Sequence, residues 1–234
     1  MSTPRPLGGL VPDAQCSFPP YESSSGSHVR LIPTKAEHAD ELFAAMGGKE
    51  DPWLYDYLPY GPFDDLEGFR KHIATFAGDT DPQMYSIQLI ATGELVGYIS
   101  FLHIDSKNRV IEIGHLCYSP VLQRTASSTE AWYLLASKAF DLGYRRLEWR
   151  CNALNQPSRK AALRFGHAFD GVFHQHSIVK GRNRDSAIYS ILDKDWPTRK
   201  QALLKWMDPG NFEKDGSQRK SLASLQERAG AEAI

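Results

Sequence analysis

The chain predicts a mixed α/β (α+β) domain, built on a mixed, mostly antiparallel sheet of about six to seven strands with helices on both faces. Three observations carry this. Runs of β-forming residues and runs with helical spacing follow one another as β-α-α-β-β-β-α-β-α-β-β. Three consecutive strands precede a helix, which excludes a doubly wound parallel sheet. Turn and cap residues, such as Thr92-Gly93 and Gly143, stand where each run should stop.

Residues 1–28 are rich in Pro, Gly and Ser, lack periodicity and read as an arm that lies on the surface or is partly disordered. A domain is expected over 29–195. Val29 to Pro33 is a short strand, and Thr34-x-x-Glu37 is a capping box for a helix through Leu42 and Met46, stopped by Gly47-Gly48. Trp53 to Pro62 is aromatic. Asp64-x-x-Glu67 caps a second helix through Phe69 and Ile73. Tyr85–Ile90 and Leu95–Leu102 form a hairpin by their turn residues, and Val110–Tyr118 is a third strand broken by Ser119-Pro120. A long helix runs from about Ser127 to Leu142, ended by Gly143. Arg146–Cys151 is a strand, and Pro157–Phe165 a short helix. Phe169–Val179 and Ala187–Leu192 are strands joined by the basic turn Lys180 to Arg184. Residues 196–234 read as a docked helix around Ala202–Met207 and a polar tail.

At roughly 100–200 residues per domain, the 234 residues make one domain with extensions. Hydrophobic residues are 41% and charged residues 24%, enough for a real core. Lys+Arg 27 against Asp+Glu 28 leaves a net charge of −1, which argues against a dedicated nucleic-acid binder. No apolar run has the length of a membrane span, and the N-terminus lacks a signal-peptide pattern. Cys16, Cys117 and Cys151 are odd in number and far apart, as expected for free thiols in a reducing, cytoplasmic setting. His174-x-His176 is the nearest thing to a ligand pair, but no thiol or carboxylate flanks it, and no metal is proposed.

The chemistry concentrates where the strand 110–118 turns into the long helix. A helix start leaves backbone N–H groups unpaired and carries partial positive charge, so an anion such as a pyrophosphate can sit there. Gln123-Arg124-Thr125-Ala126-Ser127-Ser128-Thr129 adds a cation and hydroxyls at that spot. Taken alone, those hydroxyls are equally ordinary helix caps.

With Glu112-Ile113-Gly114, Ser119-Pro120-x-x-Gln123, Thr129-Glu130-Ala131, Gly143-Tyr144-Arg145-Arg146, Asn155-x-x-Ser158-Arg159, Gly166 and Gly171 in this order, the chain resembles the GNAT superfamily of acyl-CoA-dependent N-acyltransferases. The likeness is to its RimJ/RimL-like branch and covers about residues 29–195. It implies a sheet splayed in the middle, with the cofactor's pantetheine arm in the V, pairing with the backbone of Leu116, Cys117 and Tyr118. It also implies a pyrophosphate loop, Q/R-x-x-G-x-G/A, over Val121 to Ala126. Arg124 stands there where Gly is usual and Val121 where Gln or Arg is usual.

By the same resemblance, the cofactor would be held by Leu116, Cys117, Tyr118, Gln123, Arg124, Thr125, Ala126, Ser127, Ser128 and Asn155. Asn155 equally suits a helix cap. Glu112 would take the proton of the attacking amine, directly or through water, against the alternative that it merely pairs with an Arg. Ser158, or less favourably Tyr118, would protonate the leaving thiolate. Trp53, Tyr55 and Tyr60 would wall the acceptor site, although clustered aromatics equally pack cores.

The expected function is acetyl transfer from acetyl-CoA to a primary amine, either a small molecule or a peptide N-terminus, in a ternary complex without metal. The alternative is a non-catalytic acyl-CoA-binding or regulatory protein, suggested by the missing loop glycine. An RNA-binding role would need more basic residues than Arg145, Arg146, Arg150, Lys180, Arg182 and Arg184. The arm and the tail fall outside the resemblance and are candidates for shaping a homodimer or the acceptor site.

Overall fold

The computed structural model describes residues 5–14, 16–47 and 51–232, with side-chain surroundings to Glu227. Its elements are β1 (Ser24–Ser25), β2 (Val29–Pro33), α1 (Ala39–Met46), α2 (Leu66–Ala74), β3 (Gln83–Leu89), β4 (Leu95–Asp105) and β5 (Val110–Tyr118). There follow α3 (Ala126–Asp141), β6 (Arg146–Asn152), α4 (Gln156–Arg164), β7 (Ala168–Val179), β8 (Arg182–Leu192), α5 (Trp196–Met207) and α6 (Leu222–Glu232). The strands form one sheet in the order β1-β2-β3-β4-β5-β6-β8-β7. Every neighbouring pair is antiparallel except β5 with β6. The described sheet thus has eight strands rather than six or seven. The extra one lies in the presumed arm, where Ser24 and Ser25 pair with Leu31 and Arg30.

Alternation along the strands builds a core on each face. Tyr85, Ile87, Ile99, Phe101, Ile111 and Ile113 meet Ala131, Trp132 and Leu135 of α3. Met84, Tyr98 and Cys117 on the opposite face meet Leu42 of α1 and Phe69 and Ile73 of α2. Glu130 of α3 is buried and accepts backbone N–H bonds from Ser27, His28 and Val29 at 2.7, 2.7 and 2.8 Å. A carboxylate taking three such bonds is held in a charge-assisted cradle. It ties the start of β2 to the helix whose N-terminus opens the site.

Several local expectations are corrected. Thr34 does not cap a helix: its N–H bonds to Met84 O at 2.8 Å and its hydroxyl meets Ser86 Oγ at 3.0 Å, so the sheet claims it and the chain turns through a short 3-10 segment, Ala36–His38. Gly47 closes α1, and Gly48 lies outside the described residues. The cap of α2 is Asp65, not Asp64, accepting from Gly68 N at 2.7 Å. The basic turn shrinks to Lys180-Gly181, because β8 begins at Arg182. The polar tail includes α6, which docks through buried Leu222 and Leu225. The arm also packs: Tyr21 OH donates to Met84 O, and Gln83 Nε2 donates to Pro19 O at 2.8 Å.

Candidate active site

Two strands that should stay paired do not. β5 and β6 pair in parallel only from Val110↔Arg146 to Glu112↔Glu148, while β6 continues to Asn152 on β8 and β5 to Tyr118 on β4. A bulge explains the parting. His115 and Leu116 stand opposite the single residue Ile99, and His115 takes φ +50°. Such an extra residue bends its strand. Beyond Glu112, the side of β5 that faced β6 is left without its ladder partner among the described residues.

A cleft of about 1680 Å³ occupies this splay. It is lined by the start of α3, which follows one arm of the V, by α4, which follows the other, and by residues of the segment 53–59 and of the β7–β8 hairpin. Leu116, Cys117 and Tyr118 border it, as do Gln123, Arg124, Thr125, Ala126 and Ser128.

The loop before α3 is shaped by its own hydrogen bonds. Leu122 and Gln123 N–H groups turn back to Ser119 O at 3.0 and 3.1 Å, and Gln123 Nε2 donates to Tyr118 O at 2.8 Å. Thr125 caps α3 by accepting from Ser128 N at 3.1 Å. Arg124 sits at φ +62°, the left-handed region that glycine enters freely. Arg124 therefore holds, at a conformational cost, a backbone conformation that glycine would adopt freely. Among the described residues, nothing accepts from the N–H of Arg124 or Thr125. Ser127 is in the first turn of α3 but outside the lining.

Across the cleft, Asn155 caps α4: its Oδ1 accepts from Ser158 N at 3.1 Å, which leaves the amide NH2 to donate elsewhere. Ser158 Oγ accepts from the Trp149 indole at 3.0 Å, so its own hydrogen remains available. Arg164 lies at the same end. Its Nη1 donates to Thr129 Oγ1 at 3.1 Å and its guanidinium stacks over Trp206 at 4.6 Å, while burial lowers its pKa.

Glu112 is buried on the other face of the sheet. Its Oε2 receives His103 Nδ1 at 2.8 Å and Arg150 Nε at 3.2 Å. Arg150 is shared with Glu148 at 2.6 Å, and Arg146 joins Glu148 at 2.7 Å to Asp170 at 2.6 Å. Glu148 is drawn below its usual range, because the bonds from Arg146 and Arg150 outweigh its burial. His103 is pushed up, chiefly by its bond to Glu112. It sits at φ +49° in a second bulge, where His103 and Ile104 interrupt the pairing of Leu102 and Asp105 with β5. Reading the apolar alternation of β4 does not reveal that bulge, so His103 was missed.

The aromatic wall divides. Trp53 lines the cleft. Tyr55 does not: it is fully buried among α1 and α2 residues and donates to Met46 O at 3.0 Å. Tyr60 acts from behind β5, its ring stacked on His115 and its hydroxyl 3.1 Å from His115 Nδ1. Burial drives His115 down to about 4, with His103 and Arg184 adding to the shift, so this imidazole is neutral at pH 7. Lys180 at the hairpin tip donates to Tyr55 O at 2.7 Å and fastens the hairpin to the aromatic segment. Tyr118 OH is buried without a partner among the described residues, and burial raises its pKa, which makes it a poor acid. No group of three or more His, Cys, Asp or Glu side chains among the described residues could hold a metal. No described helix is long and apolar enough to cross a membrane.

Comparison with known proteins follows the same lines. Residues 28–168 match the acetyltransferase (GNAT) domain. A GCN5-related N-acetyltransferase from Brucella melitensis is 39% identical, with TM-score 0.89 over 91% of this chain and 97% of that one. A probable GNAT-family acetyltransferase from Chromobacterium violaceum is 36% identical, with TM-score 0.76 over 84% of this chain and all (100%) of that one. Among curated proteins, the putative ribosomal N-acetyltransferase YdaF of Bacillus subtilis is 26% identical over 179 residues, 74% of this chain and 94% of its own length.

Proposed function

Because the chain belongs to the GNAT acetyltransferase family and is an acetyl-CoA-dependent N-acetyltransferase, we propose how its own residues carry the transfer to a primary amine. The observation that carries the assignment is the parting of β5 from β6 beside a helix start that leaves two backbone N–H groups free. An unpaired strand edge suits the amides of a pantetheine arm, and the free N–H groups of Arg124 and Thr125 suit phosphates. The Arg124 and Arg164 side chains add positive charge at that end, and Asn155 donates to the arm from the opposite wall.

The amine attacks the thioester carbonyl in a ternary complex. A backbone N–H at Leu116 or Cys117 steadies the developing oxyanion. The amine's proton leaves through water to the His103–Glu112 pair. Glu112 accepts from Nδ1, which fixes the tautomer and leaves Nε2 as the basic nitrogen. Ser158 passes its hydrogen to the departing thiolate as its oxygen, held by the Trp149 indole, takes one from cleft water. The acceptor enters between Trp53 and the β7–β8 hairpin, either as a small amine or as a peptide N-terminus. A non-catalytic, acyl-CoA-binding role rested on the missing loop glycine, and the left-handed Arg124 removes that support. Calorimetry with acetyl-CoA, together with thiol release in the presence of an amine panel, tests the reading. Binding without any thiol release would return the protein to the non-catalytic role.

A further inference from the structure

Charge around the cleft does not balance. On the cofactor side, Arg124, Lys160 and Arg164 line the wall, and phosphates account for them. On the other side the lining carboxylates are Glu112 and Asp56, and the lining guanidiniums are Arg150 and Arg184. Arg150 is paired through Nε and Nη2 with Glu148 and through Nε with Glu112. Asp56 is exposed on the aromatic segment, where Lys180 is its neighbouring charge. Arg184 is left over. It makes no ion pair among the described residues, and its Nε is buried without a hydrogen-bond partner there.

A guanidinium N–H kept from water without an acceptor is costly unless something else accepts from it. Arg184 is placed for such an acceptor. It precedes by two residues Ser186, which pairs with Asn152 at the open end of β6, and Ser186 also lines the cleft. Alternation puts both side chains on one face of β8. Arg184 acts electrostatically on His115, at the bulge, and on Cys151, on the opposite arm of the V. His176, bonded to Ser186 Oγ at 2.9 Å, borders the same space.

We infer that Arg184 is the anchor of an anion subsite in the acceptor half of the cleft, so that the amine acetylated here carries a carboxylate close to its amino group. This rests on the acetyltransferase reading and narrows its acceptor. One guanidinium matches one carboxylate in a forked pair. A doubly charged phosphate would ask for a second free cation, and Arg150 is already spent. The same positive charge disfavours polyamines, and it helps an incoming ammonium lose its proton.

Matched amines test it: L-amino acids, their amides, the corresponding aminophosphonates and a diamine, each with saturating acetyl-CoA and thiol release as readout. The carboxylates should exceed their amides by at least tenfold in kcat/KM. In Arg184→Ala and Arg184→Gln that ratio should fall toward one, with acetyl-CoA affinity by calorimetry unchanged. Equal or better use of amides or diamines by the wild type overturns the inference, as does a preference that survives both substitutions. Preference for the phosphonates would assign the subsite to phosphate instead. If acetyl-CoA binds and no member of the panel is acetylated, the carboxylate subsite is wrong for amines of this size. If acetyl-CoA itself fails to bind, the underlying reading falls.

Discussion

The imidazole of His103 and the carboxylate of Glu112 meet at 2.8 Å, the imidazole side chain 59% exposed and the carboxylate 5%. Both border the cleft, the imidazole open to solvent and the carboxylate buried beneath it. A carboxylate so held supports positive charge on the ring, which is the direction in which His103 is shifted. In the proposed mechanism the pair divides the labour of a general base: Glu112 orients and His103 exchanges protons with water.

Replacing Glu112 by Gln should lower turnover by about 10²-fold, the usual scale for a general base, and leave acetyl-CoA affinity nearly unchanged. Arg150 keeps Glu148 as its partner, so folding should survive. With the carboxylate gone, the protonated imidazole loses its support. The rising limb of the pH–rate profile should then move to lower pH. In His103→Gln the same limb should disappear. Full activity of both variants at pH 7 would assign the pair to structure.

Ser158 and Trp149 make a second testable pair. Ser158→Ala should cut turnover by about 10²-fold if the hydroxyl protonates the thiolate. Trp149→Phe keeps a ring packed against Phe165 and His167 but removes the N–H that holds Ser158. A net hydrogen bond of about 0.5–1.5 kcal/mol corresponds to a loss of roughly 2- to 13-fold. Pre-steady-state kinetics with a thioester of lower leaving-group pKa should rescue both variants. Absence of rescue would move Ser158 to a purely capping role.

The order of elements from β2 to β8 and the loop before α3 were legible because periodicity and caps are local. What was not legible depends on pairing across the sheet. His103 enters the site through a bulge that does not announce itself in a window of ten residues; Arg184 read as the end of a basic turn, and the length of β8 places it in the strand instead. Tyr55 shows the reverse. Its neighbours Trp53 and Tyr60 share its chemistry, and only packing against α1 and α2 decides that it is core. The tail read as polar because Leu222 and Leu225 are two apolar residues among many charged ones, yet they suffice to dock α6.

Arg124 separates strain from binding. A non-glycine residue in the left-handed region costs about 1 kcal/mol or more, so Arg124→Gly should raise the unfolding free energy by about that amount. If its guanidinium pairs with a CoA phosphate, the same change should weaken acetyl-CoA by about 10- to 100-fold. Arg124→Ala should weaken binding equally without the stability gain. Chemical denaturation and calorimetry on the two variants read both effects. Tighter binding by either would mean that the side chain crowds the loop.

His167 sets the acid limit of the fold. It is buried between Trp132 and Trp149, at ring distances of 5.6 and 5.7 Å, and neither ring nitrogen has a partner among the described residues. Burial first, and Arg146 second, push its pKa down to about 3; burial likewise takes His72 to about 4. In the unfolded chain these groups titrate near the ordinary ~6.5. Below that pH the unfolded state takes up protons that the folded state refuses, so stability must fall as pH drops from about 6.5. One such histidine costs up to about 2 kcal/mol at pH 5 by this linkage. Urea unfolding at pH 8, 6.5 and 5 should show the loss, and His167→Phe, which keeps an aromatic ring in the slot, should flatten the slope by one proton. The variant should therefore gain on the wild type as the solution is acidified, whatever their difference at pH 8. Parallel curves would mean that His167 finds a proton acceptor in its pocket and titrates there as it does in water.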